Sequence, residues 1–186
     1  MRKILFSDRY GLTEAVLAGR KTMTRRIVKH PEEVEIGGHK YLQTEKLPYK
    51  VGEVVAVAQA YKDTCWTSPV LRLKDKPGWS NKTFVYAGLM PHQIRITNVR
   101  VERLQDISEE DCLREGIWKD NGGGRVIGYP FAIPFYYTFD GAVRDGKQLH
   151  WTTPKEAYSA LIDKVSGKGT WESNPWVFVY EFELVK

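Results

Sequence analysis

Cysteine and histidine are both scarce in this chain. Only Cys65 and Cys112 occur among 186 residues, and they lack the paired spacing of a zinc site. Two cysteines so far apart do not make the disulfide framework of a small secreted protein. The four histidines are scattered with no two at ligand spacing, and we assign none of them a catalytic role. The sequence therefore predicts reduced thiols, a cytoplasmic location, no metal and no cofactor.

Long apolar runs are also lacking. The chain begins Met-Arg-Lys-Ile-Leu-Phe-Ser and turns polar at once, unlike a signal peptide, and no segment reaches the roughly 20 apolar residues that span a bilayer. We find no internal repeat and no low-complexity segment. These absences predict a protein without a membrane partner, and the length of 186 residues suits one domain with one core.

Charge is present in both signs, with a moderate positive excess. The 28 lysines and arginines exceed the 23 aspartates and glutamates, which gives a net charge of +5 and a pI near 9.1. This balance favours a polyanionic partner and leaves small anionic ligands open.

Charged and hydroxyl side chains are most concentrated in residues 19–26, which read Gly-Arg-Lys-Thr-Met-Thr-Arg-Arg. These eight positions hold four cations and two hydroxyls. Helical spacing over residues 8–18 puts Gly19 at a helix end, and Lys21 in the turn that follows. Residues 22–28 favour a strand. The residues alone leave two interpretations open, an anion-binding site or a solvated basic strand whose stems cover apolar surface.

Turn and capping residues mark two further helices. Ser108 precedes a helix that ends at Gly116, and Thr153 with Pro154 starts a helix that runs to about residue 165. Residues 117–150, rich in glycine and aromatic residues, are predicted to be a hairpin-like insertion.

Strand patterns occupy much of the remaining chain. The long strand of residues 94–104 has a phase break near Thr97 and Asn98 that predicts a bulge. Strands and helices do not alternate regularly, so the pattern predicts an α+β fold: a mixed, mostly antiparallel sheet curled into a β-barrel with about three short helices. The predicted strands are 3–6, 22–28, 54–61, 83–87, 94–104 and 175–185.

Four positions of the basic segment form a recognisable signature. Gly19, Lys21, Thr24 and Arg26 match G-x-K-x-x-T-x-R and so resemble the signature of the ASCH domain family. Further segments are similar to a branch of that family found in phages and bacteria: 4–6, 49–52, 96–116 and 171–177. The resemblance implies a single PUA-like β-barrel domain over residues 1–186, with a basic cleft that binds RNA or a modified nucleoside.

Some small proteins that resemble this chain at the signature are amidohydrolases that remove an acetyl group from N4 of cytidine. The resemblance then implies Thr24 as nucleophile, Lys21 as its activator and Glu115 as a proton carrier. A threonine hydroxyl needs a base, and a lysine can act as one only when burial or neighbouring cations lower its pKa. Without the resemblance, the same residues are interpreted as a strand residue, a solvated turn residue and a surface charge.

One segment departs from the family pattern. Related phage proteins usually carry an Arg-Glu-Thr-Trp-like run where residues 58–61 read Ala-Gln-Ala-Tyr. Gln59 can still hydrogen-bond a base edge, so the departure affects catalysis more than binding.

Three functional hypotheses follow. The leading one is an RNA-, modified nucleoside- or nucleotide-binding protein with a basic cleft, and the second is the amidohydrolase. The third is a phage-encoded interaction protein whose aromatic residues 129–139 dock on a host protein. The residues predicted to bind nucleic acid or substrate are Gly19, Arg20, Arg25, Arg26 and Gln59.

Overall fold

The computed structural model describes residues 1–29, 31–36, 39–43, 47–64, 73–120 and 136–185. The helices are α1 (Leu12–Leu17), α2 (Glu109–Arg114), α3 (Pro154–Ser166) and α4 (Thr170–Ser173). The strands are β1 (Lys3–Ile4), β2 (Met23–Ile27), β3 (Glu32–Ile36), β4 (His39–Gln43), β5 (Val54–Val57), β6 (Gln93–Arg103), β7 (Trp118–Asp120), β8 (Tyr136–Thr138), β9 (Val143–Arg144), β10 (Lys147–Gln148) and β11 (Trp176–Leu184).

A five-stranded sheet in the order β1-β5-β6-β11-β2 forms the centre of the fold. β1 runs parallel to β5, and every other neighbouring pair in this sheet is antiparallel. The strand pairs β3–β4, β7–β8 and β9–β10 lie outside it. The fold is therefore α+β with a mixed, mostly antiparallel sheet, as the sequence predicted. The strand order leaves β1 and β2 at the two edges of the sheet.

The pairing of β6 with β11 determines the register of the sheet. Asn98 lies opposite Glu181 and Ile96 opposite Phe182, so Thr97 is the extra residue of a bulge. The bulge predicted near Thr97 and Asn98 is thus confirmed. Residues 177–180 of β11 are all buried, which shows that both faces of this strand are covered.

Capping residues define the helices as predicted. The Ser108 hydroxyl accepts a hydrogen bond from the Asp111 amide at the start of α2, and Thr153 forms a reciprocal capping box with Glu156 at the start of α3. The helix predicted over residues 8–18 is interrupted. Gly11 adopts a left-handed conformation with φ of 60°, which separates a 3₁₀ turn from α1.

Two strand predictions need correction. The strand predicted at 83–87 is wrong: this segment contains 3₁₀ turns at Lys82–Phe84 and Ala87–Leu89, the first capped by a hydrogen bond from the Thr83 amide to Asn81. The strand predicted at 54–61 ends at Val57, because a 3₁₀ turn begins at Tyr61. No strand was predicted between β2 and β5, where β3 and β4 pair antiparallel; among the described residues neither of them pairs with another strand.

The predicted insertion is described only in part. β7 and β8 pair antiparallel on either side of residues 121–135, which lie outside the described residues, as do residues 65–72. Among the helices that the structure describes, none has the length and apolar character needed to cross a membrane.

Helix α3 covers the sheet with one apolar face. Tyr158, Leu161 and Ile162 are buried in the same core cluster as Phe178 and Tyr180 of β11. The Trp171 ring meets Tyr158 edge-on, with ring centroids 6.2 Å apart, and so packs α4 against α3. The position of α3 over the sheet decides the shape of the pocket described below.

The capping box predicts a specific stability effect. Thr153→Ala should lower the free energy of unfolding by about 1 kcal/mol, because the Glu156 amide loses its hydrogen-bond acceptor. Thr153→Ser keeps that acceptor and should remain within a few tenths of a kcal/mol of the parent protein. Urea denaturation measures both variants, and an equal loss in both would show that the Thr153 methyl group, rather than the cap, stabilises α3.

Candidate functional site

A pocket of about 570 Å³ opens between the two edges of the sheet and helix α3. The chain after β1 forms one wall, β2 and the residues after it another, and one face of α3 covers the pocket. The residues that line it are Leu5, Phe6, Ser7, Leu12, Lys21, Thr24, Arg25, Arg26, Ile27, Val28, Lys29, Pro48, Tyr49, Glu115, Tyr158, Leu161, Ile162, Val165, Ser166 and Phe178.

Lys21 lies at the inner end of this pocket and is only 2% exposed. Its Nζ donates to the Glu115 backbone oxygen at 2.7 Å and to Glu115 Oε2 at 2.6 Å. Gly116, the next residue, has a φ of 107°, and a Cβ there would lie 2.9 Å from Leu12 Cδ2, so a side chain at this position would be strained and would collide with Leu12. The interpretation of Lys21 as a solvated turn residue is therefore wrong.

Glu115 accepts from two cations at once. Its Oε2 pairs with Lys21, and its Oε1 accepts from Arg25 Nη1 at 3.1 Å. The side chain is buried at the C-terminal end of α2. The interpretation of Glu115 as a surface charge is therefore wrong as well.

Arg25 donates hydrogen bonds to three carboxylates. Besides Glu115, it donates to Glu102 Oε1 at 2.6 Å and to Asp111 Oδ2 at 2.9 Å. Its side chain is fully buried. Arg25 lines the pocket, but its guanidinium is committed to protein carboxylates in this arrangement.

These contacts continue outward as one connected network. Arg100 pairs with Glu102, Asp111 and Glu181, and Arg114 also pairs with Glu181. Among the described residues, the network contains four cations and four carboxylates: Lys21, Arg25, Arg100 and Arg114, with Glu102, Asp111, Glu115 and Glu181. Its formal charges cancel, which is the condition under which buried charges are tolerated.

The Thr24 hydroxyl has no hydrogen-bond partner among the described residues. The residue is 5% exposed, lies in β2 opposite Tyr180 and lines the pocket together with Lys21 and Glu115. No hydrogen bond to its side chain is formed by the part of the chain that the structure describes.

Arg26, two residues further along β2, is half-buried and also lines the pocket. Its Nη2 donates to the backbone oxygen of Leu5, next to β1, and its guanidinium carbon lies 5.8 Å from the centroid of the Phe6 ring. This contact joins the two edges of the central sheet.

Three of the predicted binding residues lie elsewhere. Gly19, with φ of 72°, and Arg20 are exposed and do not line the pocket. Gln59 lies in a second pocket of about 230 Å³ with Asp8 and Thr13, and its Oε1 has no hydrogen-bond partner among the described residues. The structure therefore separates Gln59 from Lys21, Thr24 and Glu115.

Tyr158 is a pocket residue that sequence reasoning missed. Its hydroxyl is buried without a hydrogen-bond partner among the described residues, and burial together with the nearby Glu115 charge raises its pKa well above 10. The apolar spacing of α3 indicates that Tyr158 faces inward. No sequence signal indicates that it faces a pocket.

Burial controls the electrostatics of the inner end. Desolvation lowers the pKa of Lys21 below its usual 10.5; Glu115 opposes this shift, whereas Arg26 and Arg25 add to it. On α2, burial raises the pKa of the Cys112 thiol to about 12, which leaves it protonated and unsuited to nucleophilic chemistry. The described residues contain no group of acidic, histidine or cysteine side chains suited to a metal ion.

The lowered pKa of Lys21 has a testable consequence. Between that pKa and 10.5, the unfolded chain holds a proton that the folded protein has released, so the Lys21 contribution to the free energy of unfolding rises with pH in that window. In ¹³C-lysine-labelled protein, the Cε signal lost in Lys21→Met should titrate below 10.5. Glu115→Gln should lower the midpoint further, and a midpoint at or above 10.5 would contradict the assignment.

No family model, curated protein or solved structure matches this chain. The resemblance of residues 19–26 to the ASCH signature therefore stays an expectation, and the geometry of the pocket carries the functional assignment.

Proposed function

We propose that the protein binds a modified nucleoside or nucleotide, free or within RNA, in the pocket between β2 and α3. The observation that supports this proposal is the convergence of Lys21, Thr24, Arg26 and Glu115 on one pocket of about 570 Å³. That volume lies within the range of roughly 300–1,000 Å³ typical of small-molecule sites.

The lining of the pocket suits a flat, polar-edged ligand. Phe6 and Phe178 in the lining are buried, whereas Tyr49 is half-buried and offers aromatic surface, on which a base stacks with a gain of roughly 1–3 kcal/mol. The Thr24 hydroxyl is free to hydrogen-bond the edge of such a base. We infer that the base enters the inner end of the pocket.

The proposed fold is the PUA-like barrel of the ASCH family. The hydrogen bond from Arg26 to the Leu5 backbone oxygen brings the edge strands β1 and β2 together and supports a curled sheet. Arg26 is one of the four signature positions, so the same residue serves the proposed fold and the proposed site.

Calorimetric titration tests the binding proposal. Cytidine, N4-acetylcytidine or a short single-stranded RNA should bind the parent protein. Val165→Trp should weaken that binding at least about tenfold, because a large side chain enters a pocket-lining position that is 43% exposed. RNA affinity should also fall as salt rises.

Val143→Trp is the matched control, since Val143 in β9 is similarly exposed and does not line the pocket. It should bind as the parent protein does. Absence of binding to all three ligands, or equal affinity in Val165→Trp, would rule out the proposed site.

A second candidate function, an amidohydrolase acting on N4-acylated cytidine, is favoured by one contact. Lys21 Nζ donates a hydrogen bond of 2.6 Å to Glu115 Oε2, and both residues line the same pocket as Thr24. The Thr24 hydroxyl has no hydrogen-bond partner among the described residues. Transfer of one proton along that hydrogen bond makes Lys21 a neutral base and Glu115 an acid in a single step. These are the two protonation states that the reaction needs.

In the proposed reaction, Thr24 Oγ1 attacks the acyl carbonyl carbon while its proton passes to Lys21 Nζ. The carbon–nitrogen bond to the cytosine N4 then breaks, and Glu115 delivers a proton to the leaving nitrogen. Water subsequently attacks the acyl-threonine ester, which releases the carboxylic acid and restores the Thr24 hydroxyl.

The departure at residues 58–61 bears less on this candidate than the sequence indicated. Gln59 and Ala60 line the second pocket, and none of these four residues lines the pocket of Lys21, Thr24 and Glu115. Charged residues at 58–61 are therefore not required by the proposed chemistry. The hypothesis of an interaction protein stays untested, because most of residues 129–139 lie outside the described residues.

Hydrolysis of N4-acetylcytidine, followed by chromatography, tests the second candidate. Thr24→Val removes the hydroxyl with little change of shape and should lower kcat/KM at least about a thousandfold. Thr22→Val is the matched control on the same segment, because Thr22 does not line the pocket; it should stay within about threefold of the parent protein. No turnover by the parent protein, or full activity of Thr24→Val, would contradict the candidate.

A further inference from the structure

The cations that line the pocket differ in whether they are paired with carboxylates. Lys21 and Arg25 belong to the network in which four cations meet four carboxylates. Arg26 lies outside that network and pairs with no carboxylate among the described residues. Within the described part of the chain, the charges around the inner end of the pocket therefore cancel, whereas Arg26 brings an additional positive charge to the pocket lining.

Arg25 and Arg26 are neighbours in sequence with opposite surroundings. Arg25 meets the carboxylates of Glu102, Asp111 and Glu115, whereas Arg26 donates to one backbone oxygen, that of Leu5. A guanidinium has five N–H donors, so Arg26 keeps donors for a ligand. It is half-buried, and a partly desolvated cation gains more from an anion than an exposed one does.

The position of Arg26 makes the two ends of the pocket differ in charge. Arg26 follows Thr24 by two residues in β2, so their backbones lie about 7 Å apart along the strand. Lys29, beyond the end of β2, is exposed and lines the same pocket. Positive charge therefore increases from the neutral inner end toward Lys29.

We propose that Arg26, with Lys29, binds the phosphate of the ligand, so that the pocket takes a nucleoside 5′-monophosphate rather than a neutral nucleoside. This inference rests on the proposed nucleoside site. A nucleotide has an uncharged base at one end and a phosphate at the other, which matches the neutral inner end and the cationic outer end. The planar, forked guanidinium binds phosphate oxygens through parallel N–H bonds.

Paired titrations test this assignment. The probes are cytidine, N4-acetylcytidine, adenosine, guanosine and uridine, each measured against its own 5′-monophosphate by calorimetry. The parent protein should bind its preferred monophosphate at least about tenfold more tightly than the matching nucleoside. Raising the salt concentration should weaken binding of the monophosphate and leave that of the nucleoside nearly unchanged.

Arg26→Gln should abolish this preference. In this variant the monophosphate should bind no more than about twofold more tightly than the matching nucleoside, whatever the nucleoside affinity itself becomes. Arg95→Gln is the matched control, because Arg95 is exposed, pairs with Glu183 and does not line the pocket. It should keep the preference of the parent protein, and thermal unfolding checks that both variants are folded.

The outcomes separate the two proposals. Equal affinity of the parent protein for nucleosides and monophosphates would overturn the phosphate assignment and leave the nucleoside site intact. Binding of neither class would overturn both proposals. A preference for monophosphates that persists in Arg26→Gln would show that Arg26 does not bind the phosphate.

Discussion

The buried ion pair of Lys21 and Glu115 is the contact on which the site depends. Lys21 follows α1, Glu115 follows α2, and Arg25 of β2 donates to the same carboxylate. An unpaired charge at this depth costs several kcal/mol, so these elements are constrained to positions in which all three side chains meet. The pair therefore fixes the inner end of the pocket and also supplies its titratable groups.

The remainder of the pocket is formed by the two edges of the sheet and by helix α3. β1 and β2 are the two ends of the strand order, and Arg26 connects them through the Leu5 backbone oxygen. Helix α3 closes the gap with a face that includes Tyr158, so the pocket is apolar along one side and polar along β2. In our proposals, this asymmetry orients a nucleotide with its base inward and its phosphate beside Arg26.

Local signals in the sequence predicted the elements that local interactions form. Ser108 and Thr153 start helices because their hydroxyls accept backbone hydrogen bonds a few residues away. The bulge at Thr97 was visible as a break in alternation. The segment 83–87 was mispredicted because its β-branched and aromatic residues favour a strand, whereas the Asn81 cap stabilises a 3₁₀ turn. The β3–β4 hairpin was missed because its charged alternation resembles a solvated loop.

By itself, the sequence determined which side chains β2 carries and that Gly19 ends the preceding helical segment, since strand alternation and helix termination depend on neighbouring residues. It could not determine that Lys21 is buried, that Gln59 lies in another pocket, or that carboxylates among the described residues pair with Arg25 but not with Arg26. Only the tertiary structure decided these points. Burial and charge pairing depend on residues distant in the chain, as in the contact between Lys21 and Glu115, which are 94 positions apart.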